Sequence, residues 1–203
     1  MAELLVLQAA RLKGRINADV VAAYGAIPVV EAQTRIDALL DADWVKQAGA
    51  SVRITPEGRE RLAELLSEER STIAQTALQQ AYHEFDDFNS ELKAIVTAWQ
   101  MKDGETPNDH TDSAYDQGVI TRLAALHERF APLLARIAAA APRLASYPGR
   151  FGHAIDQVQQ GDHSFVARPI TDSYHTVWFE LHEELIGLLG LSRADEAAAG
   201  RAV

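Results

Sequence analysis

The chain has 203 residues, a formal net charge of −10, 47% hydrophobic residues and no cysteine. This length is enough for one or two compact cores, and the lack of cysteine excludes disulfides, thiol nucleophiles and cysteine-bound zinc. No apolar run reaches the roughly 20 residues that cross a bilayer, and the segment 1–4 lacks the pattern of a signal peptide. We therefore expect a cytoplasmic protein with no membrane partner.

The first 40 residues predict three short helices. The apolar run 4–12 is helix-prone and stops at Gly14, and Asn17 is a suitable N-cap for a helix over 18–24. Pro28 suits the first position of the next helix, where its missing N–H costs little. Four apolar residues of that helix recur at helical spacing and are expected to pack inward: Val30, Ile36, Leu39 and Leu40.

A β-hairpin is predicted after the third helix. Val45, Val52 and Ile54 indicate two brief strands around the turn 48–50, whose sequence is Ala-Gly-Ala. Thr55 is then a good N-cap, and it is followed by Pro56 at the first helical position. Helix, turn, helix, two-stranded wing and a capped helix follow one another in the order of a winged helix-turn-helix, which presents one helix to a DNA major groove.

Two segments of this region resemble a known family. The segment 34–45, with the sequence TRIDALLDADWV, and the segment 54–59, with the sequence ITPEGR, resemble the recognition helix, wing and exit of MarR-like and PadR-like winged-helix transcriptional regulators. The resemblance implies double-stranded DNA as a partner. The residues it places at bases or phosphates are Gln33, Thr34 and Arg35, with Lys46 and Arg53 supporting contacts to the DNA backbone.

The charge distribution keeps a second reading of this region open. The segment 1–75 contains nine Lys and Arg and eleven Asp and Glu, which gives it a net charge of −2. The rest of the chain contains ten Lys and Arg and eighteen Asp and Glu, which gives it a net charge of −8. DNA affinity comes largely from neutralised phosphates, so such a protein has to concentrate its cations on one surface. The alternative is a winged helix that contacts protein and does not bind DNA.

A long helical segment without proline or glycine is predicted from 59 to 103, as one helix or as two with a tight join. Its apolar positions alternate spacings of four and three, which predicts a seam that pairs with a second subunit in a homodimer. Asn89 lies on that seam, where it either fixes the register or turns to solvent. The seam comprises Leu78, Tyr82, Phe85, Asn89, Leu92, Val96 and Trp99.

The last part of the chain predicts a helical domain. The polar segment 104–112 is the best candidate for a loop, and a helix over 119–141 is expected to kink or break at Pro132. A short helix from Tyr147, an extended stretch over 162–171 and a last helix from Asp172 to Gly190 follow.

Histidines and aromatic residues concentrate in this part, since all seven histidines follow Gln75. The combination is typical of a small-molecule pocket, which is apolar with a few placed polar groups. The residues we expect to line an effector pocket are His127, Phe151, Tyr174, His175, Trp178, Phe179 and His182. The alternative is that the histidines satisfy neighbouring groups and the aromatic rings fill a core.

Other chemistry receives weaker support from the sequence. Asp109, His110, Asp112 and Asp116 cluster, as does the segment 182–184, but neither spacing matches a known metal motif. Nucleophile elbows, phosphate loops and dinucleotide fingerprints are absent from the sequence. We therefore expect no cofactor and no enzyme, with a metal-dependent enzyme built on His and carboxylates, or a pH-responsive interaction protein, as alternatives.

Taken together, these patterns predict a mainly α protein of three parts. A winged helix-turn-helix with a two-stranded wing spans 1–70, a long linking and dimerisation helix spans 71–103, and a helical effector-binding or interaction domain spans 104–203. The corresponding function is a homodimeric, DNA-binding transcriptional regulator whose C-terminal domain senses a small molecule.

Overall fold

A computed structural model describes residues 2–198 of the chain. The fold is mainly helical with small antiparallel hairpins, which confirms the predicted fold class. The chain divides into two compact units, of which the first ends at Ile73 and the second begins at Ala74. Each unit has its own hydrophobic core.

The N-terminal unit has the predicted order of elements. Its two strands pair in antiparallel register, with Val45 opposite Ile54 and Lys46 opposite Arg53. Ile16 adds a single bridge to Val52, which the sequence did not indicate. The elements are α1 (Ala2–Lys13), α2 (Ala18–Gly25), α3 (Val29–Asp41), β1 (Val45–Ala48), β2 (Ser51–Ile54) and α4 (Pro56–Thr72).

Two predicted N-caps of this unit are confirmed. The side chain of Asn17 accepts a hydrogen bond from the Val20 amide, and that of Thr55 accepts one from the Gly58 amide at 3.0 Å. Gly58 is also required by space, because a Cβ at this position would lie 2.0 Å from the carbonyl oxygen of Trp44. The first turn of α4 therefore packs directly against the start of the hairpin.

The inward face of α3 differs from the prediction at one end. Ile36 and Leu39 are buried and Leu40 is half-buried, but Val30 is 79% exposed. Ala32 takes the inward position in the first turn instead. The predicted burial of Val30 was wrong because the start of α3 extends past the edge of the core, where helical spacing alone does not guarantee a neighbour.

The second unit is built from α5 and the helices that cover it. A kink or a break is expected at Pro132, and α6 continues through this residue without a break. A short helix, α8, lies inside the stretch expected to be extended. The elements are α5 (Gln75–Gln100), β3 (Met101–Lys102), β4 (Thr106–Pro107), α6 (Ser113–Ala140), a 3-10 helix (Pro142–Ser146), α7 (Tyr147–Gln159), α8 (Ser164–Ala167), α9 (Tyr174–Leu189) and α10 (Arg193–Ala198).

The apolar face of α5 is buried inside its own chain. α4 ends at Thr72, so the predicted long segment forms two helices, and α5 packs on α6 and α9 as the central helix of the second unit. Asn89 accepts a hydrogen bond of 3.0 Å from the indole N–H of Trp178, a role that neither predicted alternative included. The predicted seam is thus internal to the second unit, which begins at Ala74. A homodimer stays a prediction, and its two subunits would have to pair through a surface other than the apolar face of α5.

Candidate functional site

Most of the residues predicted to line an effector pocket lie in or against a filled aromatic core, whereas Phe179 is 37% exposed. Phe151, Tyr174 and Trp178 are buried, and ring centroids are 4.9 Å apart for Phe151 and Tyr174 and 4.5 Å apart for Phe130 and Trp178. The cavity bordered by His175, Phe179 and His182 measures about 20 Å³. This volume holds no more than about one water molecule, so the space beside these three residues is too small for a ligand.

Burial disfavours the charged form of the three histidines at this core, and two of them contact a tyrosine hydroxyl. Burial lowers the pKa of His127, His175 and His182, in the last case to about 4. His127 Nδ1 lies 3.3 Å from the Tyr174 hydroxyl, and His182 Nε2 lies 3.1 Å from the Tyr82 hydroxyl. These contacts correspond to the alternative reading of the sequence, in which buried histidines satisfy neighbouring groups.

Buried ion pairs fasten α9 to the neighbouring helices. The Arg143 guanidinium donates to both carboxylate oxygens of Glu184, at 2.7 and 2.8 Å, and both side chains are buried. Arg150 donates to Glu180 at 2.5 Å and to Asp172 at 3.2 Å. Because the Arg143–Glu184 and Arg150–Glu180 charges are buried and paired with one another, they offer no binding site.

The predicted base-contacting residues lie on α3. Gln33 and Thr34 are exposed and Arg35 is half-buried. Each forms a hydrogen bond within the helix: Gln33 to the Asp37 carboxylate at 2.8 Å, Thr34 to the Val30 carbonyl at 3.0 Å, and Arg35 to Glu31 at 2.5 Å. The exposed face of α3 therefore combines amide, hydroxyl and apolar groups with acidic side chains.

Cations gather at the hairpin beside α3. Lys46 and Arg53 are exposed and directly opposite each other, and neither has an ion-pair partner in the part of the chain that the structure describes. Arg15 donates from its guanidinium to the Ala48 carbonyl at 3.3 Å. Like charges opposite one another destabilise a hairpin. We call Arg15, Lys46 and Arg53 the hairpin cation cluster; it has the charge that a polyanion would neutralise.

A cavity of about 490 Å³ opens in the second unit, away from the filled core. It lies between the end of α5, the loop that follows β4, and α8. We call it the Trp99 cavity, and it is lined by Trp99, Gln100, His110, His163, Ser164, Ala167 and Arg168. Its size is within the roughly 300–1,000 Å³ of small-molecule sites.

His110 is held in this cavity by a network of polar groups. Its Nδ1 lies 3.0 Å from the carboxylate of Asp116, which is buried at the start of α6. Asn108 donates to the same carboxylate at 2.8 Å and to the Trp99 carbonyl at 3.0 Å, and its side-chain oxygen accepts from the His110 amide. The His110 backbone is left-handed, with φ of 56°. A carboxylate on Nδ1 fixes the orientation of an imidazole and directs its Nε2 elsewhere.

The other wall of the cavity comes from α8 and its flanks. Trp99 contacts two imidazoles, with centroid distances of 4.4 Å to His110 and 5.7 Å to His163. Arg168 is exposed directly after α8. Hydrogen bonding by Ser164 lowers the pKa of Asp162, and the charges of Arg168 and His163 lower it further. The cavity thus combines an apolar ring with an oriented imidazole and a guanidinium.

Sequence reasoning missed this site although it noticed part of it. The cluster of Asp109, His110, Asp112 and Asp116 was considered for metal binding, yet only His110 and Asp116 join, while Asp112 caps α6 and Asp109 accepts from Lys102 and Thr111. Within residues 2–198, no three or more His, Asp or Glu side chains are grouped to hold a metal ion. The sequence feature that could have indicated this site is His110, six residues before an acidic residue, Asp116, in the first turn of α6.

Comparison with known proteins adds no assignment to this geometry. Among the helices of residues 2–198, none is both long and apolar enough to span a bilayer. Neither a protein-family model nor a curated protein nor a solved structure matches the chain.

Proposed function

We propose that this protein is a DNA-binding transcriptional regulator that responds to a small molecule. The observation that carries the proposal is the hairpin cation cluster beside an exposed α3, in a unit with the element order of a winged helix-turn-helix. The second unit contributes the Trp99 cavity as the sensing site, in place of the residues predicted from the sequence.

The physics of DNA binding supports the role of the hairpin. Lys46 and Arg53 are adjacent across the strands, so a single phosphate or two neighbouring ones can meet both charges. α3 then supplies amide and hydroxyl groups, from Gln33 and Thr34, of the kind that reads base edges in the major groove. With few cations in each unit, two copies acting together give the avidity that one copy lacks.

The exposed face of α3 favours a second candidate function, a protein-contact module. Glu31 and Asp37 on this face repel phosphates, and Val29 and Val30 present 47% and 79% of their surface to solvent. An acidic surface with an apolar end suits a basic protein partner better than DNA. The two functions differ in what happens when the hairpin charges are removed.

Binding to labelled duplexes from the protein's own upstream region tests the proposal. Fluorescence anisotropy of the full chain between 50 and 200 mM salt is expected to show affinity that falls with salt, by a slope of about 0.9 per neutralised phosphate. The double variant Lys46→Ala/Arg53→Ala loses about two units of that slope.

Arg122→Ala is the matched control, because Arg122 is an exposed cation of the second unit. It should leave both the affinity and the salt slope unchanged. Equal binding by the double variant, or no salt-dependent binding to any duplex, contradicts the proposal and favours the protein-contact module.

A further inference from the structure

We infer that the Trp99 cavity binds a small organic anion, whose carboxylate or phosphate oxygens contact His110 Nε2 and the Arg168 guanidinium. The apolar part of the same ligand lies against Trp99 and Ala167. This inference rests on the proposed function in one respect only, that the cavity is its sensing site, and it gives that site a ligand class.

The organisation around His110 is the first argument. A left-handed backbone at a residue other than glycine is uncommon, and the His110 side chain is bonded to buried Asp116. No residue in the range 2–198 forms a hydrogen bond with His110 Nε2, and the imidazole lines the cavity. A strained backbone and a buried carboxylate thus position a ring whose outer nitrogen is left for a ligand.

The chemistry of that nitrogen is the second argument. With Asp116 accepting from Nδ1, the neutral ring has a lone pair on Nε2, and the protonated ring has an N–H there. The protonated ring donates its Nε2–H to an anion. The neutral ring accepts a proton from the acid form of the same ligand, so both routes give the same charge-assisted hydrogen bond. The carboxylate of Asp116 stabilises the imidazolium formed in this complex.

Arg168 supplies the second contact and the selectivity for an anion. Its planar guanidinium is suited to two-point contact with carboxylate or phosphate oxygens. Within the described residues Arg168 has no ion pair closer than 4 Å, and the nearby Asp162 accepts a hydrogen bond of 3.1 Å from the Ser164 amide. A neutral ligand leaves this guanidinium unmatched, whereas an anion neutralises it.

The charged surroundings of the site are mixed rather than uniformly basic. Asp116 faces the ring of His110 from α6, His163 contacts Trp99 edge-on, and Asp162 is next to Arg168. Two positive contacts backed by a buried acid suit one anionic group on a small molecule. A polyanion would need a broader cationic surface.

Three ligands with the same four-carbon tail test the inference: butyl phosphate, pentanoate and 1-butanol. Each is titrated into the full chain while the imidazole nitrogens are observed by long-range ¹H–¹⁵N NMR. The expected result is saturable shifts of the His110 signals with one or both anions and none with 1-butanol. Binding of one anion alone identifies the headgroup as phosphate or carboxylate.

Side-chain variants measure how much each contact contributes to the affinity for the anion. His110→Gln and Arg168→Gln should each weaken anion binding by about tenfold or more, because each removes a charge-assisted hydrogen bond. His83→Gln and Arg122→Gln are matched controls at exposed positions and should leave affinity unchanged. Asp116→Asn tests positioning, since it should alter the ¹⁵N tautomer pattern of His110 as well as weaken binding.

Equal shifts from all three compounds, no shift from either anion, or wild-type affinity in both His110→Gln and Arg168→Gln overturn the inference. The DNA measurements separate this failure from failure of the proposed function. Salt-dependent duplex binding without anion binding supports the proposed DNA-binding function and overturns the inference about the ligand. Anion binding without duplex binding supports the inference about the ligand and contradicts the proposed DNA-binding function.

Discussion

The aromatic core around Trp178 and the Trp99 cavity use the same residue types for opposite purposes. Trp178 is buried among stacked rings, and its indole N–H is bonded to Asn89. Trp99 also contacts histidines, but they border an open volume of about 490 Å³. A tryptophan with nearby histidines therefore does not distinguish a core from a pocket. The distinction lies in the space beside the rings, which is about 20 Å³ next to His182 and about 490 Å³ next to His110.

Removing the central ring of the core should have the largest effect on stability. Trp178→Ala deletes a fully packed side chain and leaves Asn89 without its indole donor, so we expect a loss of about 4 kcal/mol in the free energy of unfolding. Urea unfolding followed by circular dichroism measures the change. A loss below about 1 kcal/mol would mean that the rings around Trp178 do not form a filled core.

Breaking a buried ion pair should come next. Arg143→Ala leaves the buried Glu184 carboxylate without its bidentate partner, and we expect a loss of about 3 kcal/mol in the same unfolding experiment. The double variant Arg143→Met/Glu184→Leu is the control, because it removes both charges and should be less destabilising than the single change. The reverse order would show that the pair contributes through packing rather than charge.

Acidification should weaken the core through its histidines. The folded-state pKa of His182 is lowered to about 4, so its contribution to stability is complete above the unfolded value of about 6.5 and is lost as the pH falls from there through 4. We expect a loss on the order of 2 kcal/mol from this group. Unfolding at several pH values, repeated with His182→Gln, should show a flatter dependence in the variant. An identical dependence would assign the loss to other groups.

The smallest effect on stability is expected at the cavity. The His110 ring is partly exposed, so His110→Gln should change the free energy of unfolding by less than about 1 kcal/mol. The same variant is the one expected to weaken anion binding. If it unfolds the second unit instead, the imidazole is a structural residue, and the contrast with the Trp178 core is lost.

What the sequence predicted well is local. Asn17 and Thr55 cap their helices as expected, because a cap depends on residues two or three positions away. The hairpin also lies where alternating Val52 and Ile54 indicated it.

The failures of prediction concern partners at a distance. The spacing from Leu78 to Trp99 identified a buried face of α5 but not the chain that covers it, and α6 and α9 of the same chain cover it. The link between His110 and Asp116 depends on a left-handed residue in a polar loop, for which the sequence carries no clear mark. Val30 was misplaced because periodicity does not show where a core ends.

Selection from a library of random duplexes tests the proposed DNA-binding function most directly. The full chain is incubated with the library, bound duplexes are amplified over several rounds, and the recovered sequences are compared with those from Lys46→Ala/Arg53→Ala and Arg122→Ala. We predict that the wild type and Arg122→Ala enrich the same motif and that the double variant enriches none. Recovery of no motif by the wild type, or of the same motif by the double variant, would contradict DNA recognition through the hairpin and α3.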